Sequence, residues 1–112
     1  MTPRIRFRLA SIWALSALAA CGAPPAVCPD GGTTLTYENF GRGFTATYCL
    51  QCHGGDRVEK GVNLSTIALV RTHANAVESA AGPGGSMPPP ESLAPSTAER
   101  EQLVQWLSCG GP

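Results

Sequence analysis

Residues 49–53 read Cys49-Leu50-Gln51-Cys52-His53, and the interpretation of the whole chain begins from this stretch. On a helical turn, side chains three and four positions apart lie on one face. The thiols of Cys49 and Cys52 and the imidazole of His53 are therefore expected to point to the same side. Two sulfur atoms and one nitrogen atom are then presented together to a single bound group.

Cys-X-X-Cys-His is the attachment motif of c-type haem. We therefore predict one covalent haem, with Cys49 and Cys52 bonded to its vinyl groups and His53 bound to its iron. Two other uses of paired cysteines stay open. A redox dithiol of the thioredoxin type requires a strand before the motif, whereas the residues preceding Cys49 are typical of a helix. A zinc site requires a second pair of ligands at similar spacing, and the other cysteines are single and far apart.

Helical patterns surround the motif and predict an all-α domain. Apolar residues recur at helical spacing over residues 37–52, over residues 65–81 as one helix or two short ones, and in a last helix ending before Gly110. Ser96 and Glu99 form a capping box at the start of that last helix. The repeating positions are Tyr37, Phe40, Phe44 and Tyr48, then Ile67, Val70, Ala74, Val77 and Ala81, and finally Leu103, Val104, Trp106 and Leu107. Gly41 and Gly43 either admit a second helix closely or are tolerated in a weak helix.

A second axial ligand for the iron must come from elsewhere in the chain. Met87 is the only methionine after the initiator, and it precedes Pro88, Pro89 and Pro90. Proline at position 88 favours an extended backbone at Met87, and consecutive prolines stiffen the loop. We therefore predict Met87 as the sixth ligand. His73 is the alternative, although it lies within a helical pattern and is more easily explained as a surface or propionate-adjacent residue.

With this motif and a methionine beside a proline in a later loop, residues 35–109 resemble class I monohaem cytochromes c. The resemblance implies a small class I cytochrome c fold, in which helices joined by long Gly/Pro-rich loops wrap round one haem. Residues Gly61-Val62-Asn63-Leu64 stand where that family often has a Gly-Pro-Asn-Leu-like loop. A carbonyl at 61 or 62 is then expected to accept the free N–H of His53. The short stretch between His53 and Met87 implies one exposed haem edge.

The same resemblance implies a role for Cys28 and Cys109, which flank the domain. Terminal helices pack together in class I cytochromes, and exported proteins commonly oxidise such a pair to a disulfide. We expect that pairing, with two free thiols as the alternative.

The N-terminal residues predict export. Arg4, Arg6 and Arg8 precede an uncharged, mostly apolar run of twelve residues, which is too short to span a bilayer. Leu18-Ala19-Ala20-Cys21 resembles the lipobox of bacterial lipoproteins, which implies that Cys21 is acylated. We predict a signal peptide over residues 1–20, a tether over 21–27 and the haem domain over 28–112. The product would be a membrane-anchored lipoprotein facing the periplasm. An ordinary cleaved signal that happens to end at a cysteine is the alternative.

Charge and tether length limit the partners. Without residues 1–20 the chain has five basic and eight acidic side chains, a net charge of −3. Nucleic acid is excluded as a partner because its binding depends on basic residues. Since six residues between Cys21 and Cys28 reach only about 20 Å, we expect a redox protein or respiratory complex at or near the membrane. Its docking face should be basic.

Two filled axial positions leave the iron no open coordination site, so we predict a single-electron carrier and no enzyme activity. Three other functions stay open. The domain could be the electron-entry subunit of a larger oxidoreductase, a haem sensor or gas binder with a displaceable Met87, or a lipoprotein with a merely structural haem.

Three expectations concern the remaining side chains. Trp106 and Phe44 are expected in the helix packing, with direct haem contact as the alternative. Arg57 and Arg71 are expected to be solvated, with pairing to propionates as the alternative. The carboxylates of Glu78, Glu91, Glu99 and Glu101 give no sign of a catalytic pair, so no acid or base catalyst is assigned.

Overall fold

The computed structural model describes residues 28–109. Their helices are α1 (Arg42–Tyr48), α2 (Leu50–His53), α3 (Ile67–Thr72), α4 (Ala74–Ala81) and α5 (Thr97–Cys109). A π-helical turn (Tyr37–Gly41) leads directly into α1. A two-residue strand, β1 (Arg57–Val58), and a 3₁₀ turn (Glu59–Gly61) follow α2. The described part of the chain is therefore mostly helical, consistent with the predicted all-α class. The predicted signal peptide, the tether and Cys21 lie outside the described residues.

The first helical segment is interrupted where a continuous helix over residues 37–52 was expected. Thr36 caps it, with its side chain accepting from the Asn39 amide and the Asn39 side chain accepting from the Thr36 amide. At Cys49 the backbone leaves ideal helix geometry, with φ −116° and ψ −45°. The Cys49 amide still donates to Thr45 O at 2.9 Å. α2 therefore begins as a separate short turn, which the aromatic spacing gave no reason to expect.

The middle stretch is two helices, one of the two arrangements that the apolar spacing allowed. Thr66 caps α3 by accepting from the Leu69 amide. The chain leaves helical geometry at His73, whose φ and ψ are −103° and 10°, and α4 then continues to Ala81.

The capping box at the start of α5 is confirmed. The Ser96 amide donates to Glu99 Oε2 at 2.7 Å, and the Glu99 amide donates to Ser96 Oγ at 3.2 Å. Leu103 and Trp106 are fully buried on the inner face of α5. Both the start of this helix and the face that it buries therefore follow from local sequence patterns.

Trp106 lies against the first helical segment where a glycine leaves room for it. A Cβ atom on Gly41 would overlap the six-membered ring of Trp106, whereas a Cβ on Gly43 would meet nothing within 4 Å. The ring is also 6.0 Å from Phe40, edge to face, and 6.4 Å from Tyr37, stacked. Close helix approach is therefore the role of Gly41 but not of Gly43.

One hydrophobic core joins these elements. Its buried members are Phe44, Cys49, Leu64, Val70, Val77, Ala81, Leu103 and Trp106. The chain ends of the described region are linked by the expected disulfide between Cys28 and Cys109, whose Cα atoms are 5.2 Å apart. Among the described residues, none of the helices has the length and apolar character needed to cross a bilayer.

Candidate functional site

A cavity of about 600 Å³ opens beside the core. This volume is in the range of ~300–1,000 Å³ that is usual for small-molecule and cofactor sites. The predicted site residues Cys49, Cys52, His53 and Met87 all line it. Most of the wall is apolar and comes from Phe44, Val62, Leu64, Ala76, Val77, Ala80, Ala81, Pro88, Pro89 and Leu93. Charged side chains at the cavity are Arg57, Glu59, Lys60 and Glu91.

The Cys49-to-His53 turn lines this cavity with both cysteines and the histidine. Its backbone is closed by the amides of Cys52 and His53, which donate to Cys49 O at 3.1 and 2.9 Å. Neither cysteine is in a disulfide, and Cys49 is buried while Cys52 is half-buried. Burial raises the pKa of the Cys49 thiol to about 11. A dithiol catalyst requires a lowered thiol pKa, so this environment disfavours the thioredoxin-type alternative.

The imidazole of His53 is held by one hydrogen bond. Its Nδ1 lies 3.1 Å from Val62 O. A carbonyl oxygen can only accept, so Nδ1 carries a proton, and in the neutral ring Nε2 is the nitrogen with the free lone pair. This is the arrangement of a metal-binding histidine whose other ring nitrogen is fixed by a backbone carbonyl. The expectation that a carbonyl at 61 or 62 would serve His53 is met by Val62.

The loop that returns to His53 is shaped by a left-handed turn. Lys60 and Gly61 both have positive φ values, 56° and 73°. Glycine adopts this conformation without steric cost, whereas lysine does so at some cost in energy. Beyond the turn the Leu64 amide donates to His53 O at 2.7 Å. The loop that follows His53 thus fixes both its backbone carbonyl and its ring.

Met87 enters the cavity from a separate loop. Its amide donates to Ala80 O in α4 at 2.8 Å, and the Met87–Pro88 peptide bond is cis. The residue is 38% exposed. The structure therefore brings Met87 to the same cavity as the cysteine and histidine side chains, with one side still open to solvent.

Other predicted residues divide between the cavity and the rest of the molecule. His73 is half-buried at the junction of α3 and α4 and also lines the cavity. Arg57 lines it too, but its Nε is paired with Glu59 Oε1 at 2.8 Å. Arg71 is exposed and is not among the lining residues. Phe44 belongs to both core and cavity wall, whereas Trp106 belongs to the core alone.

Two side chains at the start of α5 were not predicted as part of the site. Glu99 Oε1 accepts from the hydroxyl of Tyr48, a cavity residue, at 3.0 Å. This bond raises the pKa of Tyr48. Arg100 donates to the carbonyl of Met87 at 2.7 Å. Sequence offers no signal for either contact, because each joins positions that no periodic pattern relates.

No three His, Cys, Asp or Glu side chains among residues 28–109 come together in a way that would hold a metal ion. The zinc alternative therefore gains no support from the described part of the chain. Comparison with known proteins gives no matching family model, no similar curated protein and no similar solved structure.

Proposed function

We propose that this protein is a single-electron carrier with one covalent haem c. Cys49 and Cys52 would hold the haem through thioether bonds, and His53 and Met87 would bind its iron. The proposal includes the class I cytochrome c fold and export as a membrane-anchored lipoprotein acylated at Cys21. The observation that carries it is the convergence of Cys49, Cys52, His53 and Met87 on one apolar cavity.

The attachment side of the cavity, formed by Cys49, Cys52 and His53, suits a covalent haem. Both thiols come from one helical turn, and both cysteines line the cavity. The hydrogen bond from His53 Nδ1 to Val62 O leaves Nε2 as the nitrogen available to a metal. These residues would therefore fix the haem in one orientation.

The opposite side of the cavity, at Met87, is suited to electron transfer. Haem iron supplies a one-electron couple between its ferrous and ferric states, and a thioether ligand favours the ferrous state relative to a second imidazole. With Met87 and His53 as ligands, no site is left for oxygen chemistry. The walls from α4, including Val77 and Ala81, are apolar.

The partner would be a basic redox protein or respiratory complex close to the membrane. The predicted mature chain has a net charge of −3, and a short tether follows Cys21. Complementary charge accelerates the encounter of two proteins and orients it. The open side of the cavity at Met87 is where electrons would pass to that partner.

The test is an absorption spectrum of the protein produced with haem-maturation machinery, recorded oxidised and reduced. We expect a sharp reduced α-band and a weak far-red sulfur-to-iron band in the oxidised form. A haem spectrum without the far-red band would remove Met87 ligation and favour His73 or an open site. The absence of any haem spectrum would refute the proposal.

A haem sensor or gas binder is the second candidate, because Met87 is 38% exposed and belongs to a loop rich in glycine. Carbon monoxide distinguishes the two functions. A shift of the reduced spectrum at neutral pH without denaturant would favour the sensor, whereas an unchanged spectrum favours the electron carrier.

A further inference from the structure

Arg100 connects α5 to the loop that carries Met87. Its Nη1 lies 2.9 Å from Ala81 O, 3.5 Å from Gly82 O and 2.7 Å from Met87 O. The first two carbonyls belong to the end of α4, where helix geometry leaves carbonyl groups without intrahelical partners. One guanidinium group therefore serves both the end of α4 and the methionine.

These contacts fix Met87 from two directions. Its amide donates to Ala80 O of α4, and its carbonyl accepts from Arg100 of α5. Hydrogen bonds with a charged donor are about twice as strong as neutral ones. The preceding residues include Gly82, Gly84 and Gly85, whose backbones lose much conformational freedom when ordered. The bond from Arg100 is thus a major restraint on the position of Met87.

The first turn of α5, which carries Arg100, is itself held in place by hydrogen bonds. The Arg100 amide donates to Ser96 O at 3.0 Å, a backbone hydrogen bond next to the capping box. The adjacent Glu99 accepts from Tyr48, which is next to Cys49. Neighbouring residues of one helical turn therefore hold the methionine loop and the segment that leads into the cysteine motif.

We propose that Arg100 is a positioning residue that holds Met87 in place as an axial ligand and resists its replacement by other ligands. This inference rests on the proposed haem function. Arg100 acts on the Met87 carbonyl and the end of α4, and it is not itself a ligand. Its loss would leave haem attachment through Cys49 and Cys52 intact and would weaken only the methionine side.

The experiment uses the oxidised, haem-loaded protein and titrates it with imidazole, which competes with Met87 for ferric iron. The far-red band reports displacement of the thioether directly. We expect the imidazole concentration at half-displacement to fall about ten-fold or more in Arg100→Ala, since a hydrogen bond to a charged group contributes that much. Arg100→Lys keeps the charge but not the planar fork, so it should give an intermediate value.

Arg42→Ala is the matched control. It removes the same charge and an exposed ion pair, Arg42 to Glu38 at 2.7 Å, and Arg42 is not among the cavity residues. We expect its titration to overlay that of the unmodified protein. An equal shift in Arg42→Ala and Arg100→Ala would mean that overall charge is responsible and would overturn the inference.

The remaining outcomes are also decisive. An unchanged imidazole titration in Arg100→Ala would overturn the positioning role while leaving the electron-carrier proposal intact. If Arg100→Ala yields no haem-loaded protein, the imidazole titration of Arg100→Lys becomes the test. An unchanged half-displacement concentration in that variant would also overturn the positioning role. A far-red band missing from the unmodified protein would instead refute Met87 ligation, and the inference with it.

Discussion

The two sides of the cavity are held in different ways. His53 is fixed within one continuous segment, because the loop ending at Leu64 supplies partners for both its backbone carbonyl and its ring. Met87 is fixed between two helices, by Ala80 of α4 and Arg100 of α5. The attachment side therefore depends on local chain geometry, whereas the methionine side depends on how α4 and α5 pack. The methionine side should be the more easily disturbed.

The largest effect is expected at the attachment side. Replacing both Cys49 and Cys52 by alanine should abolish covalent haem completely, because no other described cysteine lines the cavity. A denaturing gel stained for haem measures this. The Cys28→Ala/Cys109→Ala pair is the control, since it removes two cysteines but leaves the motif. That control should keep its haem stain while losing about 4 kcal/mol of stability from the opened loop. Haem retained by the first pair would contradict the assignment.

Replacing Met87 by alanine should be the next largest effect and should leave the covalent haem in place. We expect the far-red band to vanish, carbon monoxide to bind the reduced form, and the midpoint potential to fall by a sizeable part of the ~0.8 V that axial ligands span. Leu93→Ala is the control, because Leu93 lines the same cavity and is 69% exposed. If Met87→Ala keeps the band, another residue is the ligand.

The packing of α5 against the first helical segment can be disturbed without changing a residue that lines the cavity. Gly41→Ala should reduce the free energy of unfolding by about 1–3 kcal/mol, because its Cβ would overlap the Trp106 ring. Gly43→Ala, where no atom is in the way, should instead stabilise α1 by roughly 0.5–1 kcal/mol through helix propensity. Urea unfolding of both variants measures the difference. Equal effects would mean that the close approach of α5 contributes little.

The smallest effect concerns Glu99 and pH. The Ser96 amide and hydroxyl and the Tyr48 hydroxyl lower the pKa of Glu99. Because the folded pKa lies below the unfolded one, this stabilisation is present above the unfolded pKa and is lost as pH falls through the folded pKa. Glu99→Gln should therefore be less stable than the unmodified protein at neutral pH, by under about 1 kcal/mol. The two should converge at acid pH, once Glu99 is protonated in the folded protein as well. Urea titrations at both pH values check this, and a constant difference would exclude the charge as its cause.

Much of the helical organisation could be predicted because its signals are local. The capping box of Ser96 and Glu99 and the buried positions Leu103 and Trp106 follow from spacing alone. The break at Cys49 could not be predicted, because aromatic residues recur at helical steps up to Tyr48 and give no sign that the helix is interrupted. The choice between Gly41 and Gly43 was also undecided, since only the position of Trp106 distinguishes them.

By itself, the sequence determined which residues can carry the chemistry. Cys49, Cys52 and His53 share one face because they belong to one helical turn, and Met87 is the only methionine after the initiator. Tertiary structure alone decided that Met87 faces the same cavity and that Arg100 holds its carbonyl. The physical reason is range: a helical turn fixes side chains within a few positions, whereas the meeting of α4, α5 and the methionine loop depends on the packing of the whole core.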